Sequence, residues 1–354
     1  MRLLFVTENL GSGGAERQLT GLASMLSLDG HECTVVTWID KNFHAHTLAE
    51  NGVAHILLHP TGRIDRILKI ASVYKKLKPD AVIAFLPMAN ETALLSSLLC
   101  PVKVVVSERS FTADWNFRRK LTNLLYRRAF RIVANSFNEA QNLKAHMPSL
   151  ENKIIAIPNY VDCNMFHQRE NNRLGSEILQ LVGVGRVIPS KNILRLLEVL
   201  ALLRDDGYKF YFRWYGDTYD KEYYRQVNET ILKMELNDCF SLMGECHDMP
   251  SAYAEADAFI MPSLHEGYPN VLVEAMASGL PVAVSAVCEH PYIVKDEING
   301  FLFDPTNTQD MVSAIKKMLT LTSTQQAKMG YGNREKVLAN NSIESFKQQY
   351  LAIL

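Results

Sequence analysis

Two glutamates eight positions apart, Glu266 and Glu274, stand in the stretch from Met261 to Val282 whose chemistry is easiest to name. Glu266 sits in a loop-like run, His265-Glu266-Gly267-Tyr268-Pro269-Asn270. Glu274 sits inside Val271-Leu272-Val273 and Ala275-Met276-Ala277. A carboxylate in so apolar a helix is costly to bury unless something hydrogen-bonds it, and ligand hydroxyls would do that. A Glu on the solvent face of an amphipathic helix is the other reading, although this helix has almost no polar face. A second constellation is Val182-Gly183-Val184-Gly185-Arg186, followed by Pro189-Ser190-Lys191. Arg186 and Lys191, five residues apart around a turn at a strand end, are placed to grip a diphosphate; two solvated side chains at a loop remain the plainer alternative. A third is Gly11-Ser12-Gly13-Gly14-Ala15-Glu16, where backbone N–H groups at a helix start favour an anion such as phosphate. It is not a dinucleotide fingerprint: the third glycine would fall at position 16, which is Glu, and no ribose-binding acid precedes Asp40. A tight strand–helix turn explains it equally well.

These groups need elements to hold them, and the chain alternates short apolar runs with longer helical stretches. Strands are expected at Leu3–Thr7, Cys33–Trp38, Ala81–Leu86, Val102–Ser107 and Ile132–Asn135, with a helix over Ala15–Leu28. The second half repeats the plan, with strands at Leu179–Gly185, Lys209–Tyr215, Phe240–Met243, Ala258–Met261 and Pro281–Ser285 and a helix over Lys191–Leu203. Buried runs alternating with helices mean βαβ units and parallel sheets. Pro269 suits the first turn of a helix and Gly279 its C-terminal cap. Val161–Ser176 is polar and reads as a linker. The expected architecture is α/β, with two Rossmann-like domains at 1–165 and 166–340 and a terminal helix over 341–354, capped by Asn341 with Glu344 three residues on.

With 354 residues, 47% hydrophobic and 21% charged, the chain is neither disordered nor fibrous, and it holds material for two cores. No run approaches the length of a spanning helix, and Met1–Val6 is too short for a secretory signal. Six scattered cysteines without a Cys-x-x-Cys pair read as reduced thiols of a cytoplasmic protein. The net charge of −1 conceals an asymmetry: residues 1–165 hold 19 Lys+Arg against 14 Asp+Glu, and the remainder 18 against 24. A basic first half hints at an anionic partner, or at ordinary scatter.

Glu266 and Glu274, with seven residues between, resemble the Glu-x7-Glu motif of the retaining GT-B glycosyltransferases, particularly glycosyltransferase family 4. The resemblance extends over nearly the whole chain through Gly13-Gly14-Ala15-Glu16, Asn135-Ser136, Ile157-Pro158-Asn159, Gly185-Arg186 with Lys191, and Glu266–Val282. It implies two domains facing across a cleft, the terminal helix crossing back to the first, and a nucleotide-sugar donor. Arg186 and Lys191 would hold the diphosphate and Glu274 the ribose hydroxyls. Glu266 and the amides of Gly267, Tyr268 and Asn270 would hold the sugar. Gly13 and Gly14 would approach the phosphates, with Glu16 and Val271 in the same donor set. The implied enzyme is a retaining, metal-independent hexosyltransferase. It would carry a hexose or N-acetylhexosamine from a UDP-sugar to a lipid-linked glycan acceptor in bacterial polysaccharide or oligosaccharide assembly. No cofactor beyond the nucleotide-sugar is implied.

Two departures stand out. Many members carry a His after the fourth or fifth strand of the first domain; here Arg109 takes that place, and an imidazole role does not transfer to it. Cys288-Glu289-His290 stands where the family often has Gly-Gly before an acid.

The acceptor side is assigned to a basic helix over Trp115–Ile132 carrying Arg118, Arg119, Lys120, Arg127, Arg128 and Arg131. Lys120, Leu124, Arg127 and Arg131 would form one stripe and Leu121, Leu125 and Ile132 the adjoining apolar one, with Trp115 and Phe117 exposed. Such a helix suits an anionic membrane face or a polyprenyl-pyrophosphate acceptor, placing the protein peripherally on the cytoplasmic face of the inner membrane; a solvated outer face is the alternative. The loop Asp217-Thr218-Tyr219-Asp220 reads as a strand-end loop before a metal site, and nucleic-acid binding is disfavoured by the near-neutral charge. Rival functions are a nucleotide-sugar epimerase of the same architecture, a Rossmann oxidoreductase and a non-catalytic sugar-nucleotide sensor.

Overall fold

The computed structural model describes residues 1–112, 115, 117–167 and 178–354, with the side chains of 117–120 outside that description. The chain divides into two compact units, Met1–Tyr160 with Glu344–Leu354, and Val161–Ile343. The centre of the predicted linker, 168–173, lies outside the described residues.

The first unit runs β1 (Arg2–Val6), α1 (Gly14–Leu28), β2 (Glu32–Thr37), α2 (Ala45–Glu50), β3 (Ala54–Leu57), α3 (Arg63–Leu77), β4 (Ala81–Phe85), α4 (Pro87–Leu99), β5 (Lys103–Glu108), α5 (Phe117–Tyr126), β6 (Arg131–Ala134), α6 (Phe137–His146) and β7 (Ile154–Ala156). Its seven strands are parallel in the order β3-β2-β1-β4-β5-β6-β7. Alternate residues of each strand face opposite layers. Leu4, Val6, Val82 and Val104 enter one core, and Leu3, Phe5, Ile83 and Val105 the other. That double burial explains the unbroken apolar runs.

The second unit runs β8 (Leu179–Val184), α7 (Ile193–Asp205), β9 (Phe210–Tyr215), α8 (Lys221–Lys233), β10 (Phe240–Gly244), α9 (Met249–Ala254), β11 (Ala258–Met261), α10 (Asn270–Ala277), β12 (Val282–Ser285), α11 (His290–Ile293), β13 (Phe301–Phe303), α12 (Thr308–Leu319) and α13 (Ser323–Asn341). Its six parallel strands lie in the order β10-β9-β8-β11-β12-β13. The last helix, α14 (Ile343–Leu351), belongs to the first unit from Glu344 onward. Phe346 and Tyr350 are buried there among Leu3, Phe5 and Phe85, and Lys347 pairs with Asp29 at 2.7 Å.

Three expectations are corrected. The terminal helix begins at Ile343, two residues past the predicted cap: Asn341 ends α13, and Ser342, in extended backbone, separates the two helices. Two three-residue strands, β7 and β13, carry too little pattern to be read from sequence. The basic helix is shorter than Trp115–Ile132. It stops at Tyr126, because the Phe130 N–H bonds Val104 O at 2.8 Å and Arg131 pairs with Val105, drawing the chain into the sheet. Arg131 is therefore on a strand, its guanidinium over the Phe130 ring, and Ile132 is a core residue. Leu121, assigned to the apolar stripe, is exposed like Leu124. Trp115 is partly buried, its ring stacked on His146 at 4.0 Å.

Candidate active site

In the second unit three turns follow the C-terminal ends of β8, β11 and β12, which is where open parallel sheets place ligands. The turn after β8 carries Gly185, Arg186 and Lys191. Gly185 has φ +156°, and a Cβ there would lie 2.8 Å from Lys191 Cε, so glycine leaves the room through which the lysine runs. The opposing turn needs glycine too: a Cβ on Gly216 would sit 1.9 Å from Gly185 O. Asn192 takes the left-handed conformation before α7, and its Nδ2 donates to Pro262 O at 3.2 Å and Pro305 O at 2.8 Å. The β8 turn is thereby fixed to the segments after β11 and β13, and Leu264 N–H donating to Ser190 O at 2.8 Å adds a second tie.

Lys191 Nζ meets Glu266 Oε1 in an ion pair whose side chains are each 14% exposed. A charge-assisted contact of this kind holds both long side chains in one rotamer. Arg186, in the same turn after β8, is exposed. Glu266 N–H donates to Cys288 Sγ at 3.4 Å, and Cys288 Sγ lies 3.3 Å from His265 Nδ1. Ser285 Oγ donates to Ser263 O at 2.6 Å. His290 is fully buried, with Nδ1 2.7 Å from Ser285 O. A carbonyl only accepts, so Nδ1 carries the proton. Burial holds His290 below the ordinary imidazole range, so the ring is kept neutral. The Cys288 thiol is pushed up, first by burial.

Glu274 is 6% exposed on α10, where Leu272 through Ala277 are all buried. Pro269 precedes that helix, Asn270 begins it, and Gly279, at φ +74°, follows its last turn. Tyr268 is packed in the core, its hydroxyl accepting from Asn341 Nδ2 at 2.6 Å. Val271 O accepts from Tyr253 OH at 3.1 Å. In the 217–220 loop Asp220 caps α8, accepting from Tyr223 N–H at 3.0 Å.

The other predicted residues fall in the first unit. Gly13 precedes α1 and Gly14 begins it; a Cβ on Gly13 would lie 2.2 Å from Glu16 Oε2, so the glycine lets Glu16 fold back over the helix start. Arg109 is 9% exposed: Nη1 donates to Ser107 Oγ at 3.3 Å, Nη2 donates to Asn159 Oδ1, and the guanidinium lies 4.6 Å from the Phe85 ring centre. Arg127 and Arg128 are exposed in the turn after α5. The side chains of Arg118, Arg119 and Lys120 lie outside the described residues. The inner face of α5 is anchored by Thr122 Oγ1 donating to Glu91 at 2.8 Å and by Tyr126 OH donating to Glu108. Among the described residues no helix is long and apolar enough to cross a membrane.

Sequence comparison agrees with this two-unit plan. The model for Glycosyltransferase Family 4 matches residues 12–165, and that for Glycosyl transferases group 1 matches 165–336. The chain belongs to the glycosyltransferases that pair these two domains, those of family 4. Among its relatives is the UDP-Gal:alpha-D-GlcNAc-diphosphoundecaprenol alpha-1,3-galactosyltransferase of Escherichia coli, 31% identical over 47% of this chain and 45% of that protein. Another is the N-acetylgalactosamine-N,N'-diacetylbacillosaminyl-diphospho-undecaprenol 4-alpha-N-acetylgalactosaminyltransferase of Campylobacter jejuni, 24% identical over 94% of this chain and 93% of that one. The match thus spans less than half of the first relative and nearly all of the second. Among solved structures, Anabaena HepE in complex with UDP shares the fold, with TM-score 0.87, 18% identity and 99% of each chain covered.

Proposed function

We propose that this protein transfers a hexose or N-acetylhexosamine, with retention of configuration, from a UDP-sugar to a lipid-linked glycan acceptor in bacterial glycan assembly. The observation that carries the proposal is the Lys191–Glu266 pair past the C-terminal end of β8, in whose turn Arg186 is exposed. A diphosphate is a better partner for Lys191 than one carboxylate, and Arg186 adds a second cation to it. Glu266 repels the phosphates and therefore belongs to the sugar, accepting hydrogen bonds from its hydroxyls. The amides of Gly267 and Tyr268 complete that contact, whereas the predicted Asn270 N–H already donates to Tyr268 O at 3.0 Å, and Glu274 takes the ribose hydroxyls.

In the transfer, the bond between the anomeric carbon and the β-phosphate oxygen breaks as the acceptor oxygen approaches on the same face. The acceptor proton passes to the departing phosphate oxygen, and the new bond keeps the old configuration. Arg186 and Lys191 stabilise the charge that accumulates on the diphosphate, so no protein base and no metal is called for. UDP is favoured because the E. coli relative takes UDP-Gal and HepE was solved with UDP. A diphosphate-lipid acceptor is favoured because both relatives named above act on diphosphoundecaprenol-linked substrates. Exposed Leu121 and Leu124 with Arg127 and Arg128 at the end of α5 suit an anionic membrane surface.

The test is a panel of UDP-, GDP- and ADP-sugars scored by thermal stabilisation and slow hydrolysis, with and without excess EDTA. A UDP-sugar that stabilises and turns over unchanged in chelator supports the reading. Stabilisation by GDP- or ADP-sugars alone removes the UDP assignment, and activity lost in EDTA and restored by Mg²⁺ removes metal independence.

A further inference from the structure

We infer that Cys288 is a positioning residue for Glu266, and that it ties the sugar-facing carboxylate to the turn after β12; this rests on the donor reading above. Three observations converge. The Glu266 N–H donates to Cys288 Sγ at 3.4 Å, and His265 Nδ1 lies 3.3 Å from the same sulfur, so one thiol holds two successive residues of the loop after β11. Cys288 takes φ +50°, a backbone conformation that glycine adopts far more readily than a residue with a side chain. The chain thus keeps a side chain where the backbone disfavours one. A non-glycine held in this region calls for a compensating contact, and the two bonds to the 265–266 loop are that contact.

The consequence is geometric. Glu266 is gripped at its backbone by Cys288 and at its carboxylate by Lys191, and the turn bearing Cys288 is itself joined to the loop by Ser285 Oγ donating to Ser263 O at 2.6 Å. Without the sulfur the loop keeps its anchor at Leu264 but loses the one at Glu266. The diphosphate cations Arg186 and Lys191 belong to another turn, which Asn192 and Ser190 hold through bonds that do not involve Cys288. Loss of Cys288 should therefore damage sugar transfer and spare UDP binding.

The experiment compares wild type with Cys288→Ala, Cys288→Ser and Cys288→Gly, measuring UDP affinity by calorimetry, and kcat and KM with the best UDP-sugar of the panel. The expected result is UDP affinity within about twofold throughout. Turnover should fall about 10–100-fold in Cys288→Ala and Cys288→Gly, the scale at which misplacing a reacting group is felt. Cys288→Ser, whose hydroxyl still accepts an N–H, should recover part of that loss, as a merely structural cysteine would not. If Cys288→Ala fails to fold, Cys288→Gly, whose backbone suits the turn, carries the test. Turnover within twofold of wild type in the glycine variant, with UDP still bound, overturns the role of Cys288 alone. A wild-type protein that binds no UDP overturns the donor reading and this role with it.

Discussion

Arg109 follows strand β5 of the first unit and Lys191 lies in the turn after strand β8 of the second, and their surroundings differ in kind. Arg109 is packed over an aromatic ring and donates to Ser107 and Asn159, both uncharged and both part of the framework. Lys191 is held by a carboxylate on a neighbouring loop and runs through space that only Gly185 leaves open. A guanidinium stacked on an aromatic ring and bonded into the framework is held by its packing. A cation bound to one carboxylate can exchange that partner for an incoming diphosphate. The first arrangement fits a framework contact and the second fits the donor site proposed above, although both read in sequence as an arginine or lysine near a strand end.

The contrast is broken most sharply by removing each cation. Lys191→Ala and Arg186→Ala are each expected to lower donor turnover about 100–1,000-fold, the usual cost of one lost electrostatic contact to a developing charge. Their unfolding curves should stay close to wild type. Arg109→Ala should instead lower stability by about 2 kcal/mol through unpaired buried partners and lost packing, read by urea unfolding. Turnover loss in Arg109→Ala without loss of stability would dissolve the distinction.

A smaller effect sharpens the same point. Gly185→Ala puts a methyl 2.8 Å from Lys191 Cε, and turnover should fall about 10–100-fold while the fold persists. Unchanged kinetics would mean that Lys191 is not bound to its present path.

In the first unit, Arg127→Glu with Arg128→Glu should weaken co-sedimentation with anionic vesicles by roughly tenfold or more, since each basic residue near such a surface is worth about 1 kcal/mol. UDP affinity should not move. Equal sedimentation of mutant and wild type would leave the end of α5 a solvated turn.

The least effect expected is on pH dependence, and it has opposite sign in the two units. Burial lowers His290 below its ordinary 6.5, so as pH falls through 6.5 the unfolded chain takes the proton first and the second unit loses stability. Burial raises Glu139 above its ordinary 4.5, so the first unit loses that contribution as pH rises from 4.5 through the raised value. Urea midpoints between pH 4 and 8 for wild type, His290→Gln and Glu139→Gln check both slopes; a His290→Gln profile as steep below pH 6.5 as wild type would contradict the first.

The sheet strands were legible because double burial writes continuous apolar runs such as Ala81–Phe85, and the Glu266–Gly279 block because Pro269 and Gly279 punctuate it. The end of α5 was not. Tyr126 to Arg131 holds no Gly or Pro, and the helix stops because pairing of Arg131 with Val105 wins over local propensity. The stacking of Trp115 on His146 was not legible either, because it joins residues distant in sequence. Nor did sequence disclose what surrounds Arg109 or the sulfur contacts of Cys288, because both depend on residues brought in from distant turns.

The central claim is that Lys191 exchanges Glu266 for a donor diphosphate, and calorimetric titration of UDP into wild type and Lys191→Ala tests it most directly. The account predicts saturable binding to wild type and an affinity about tenfold or more weaker in the mutant, the worth of one charged hydrogen bond. Equal affinity in the two proteins, or no binding to wild type, would contradict it.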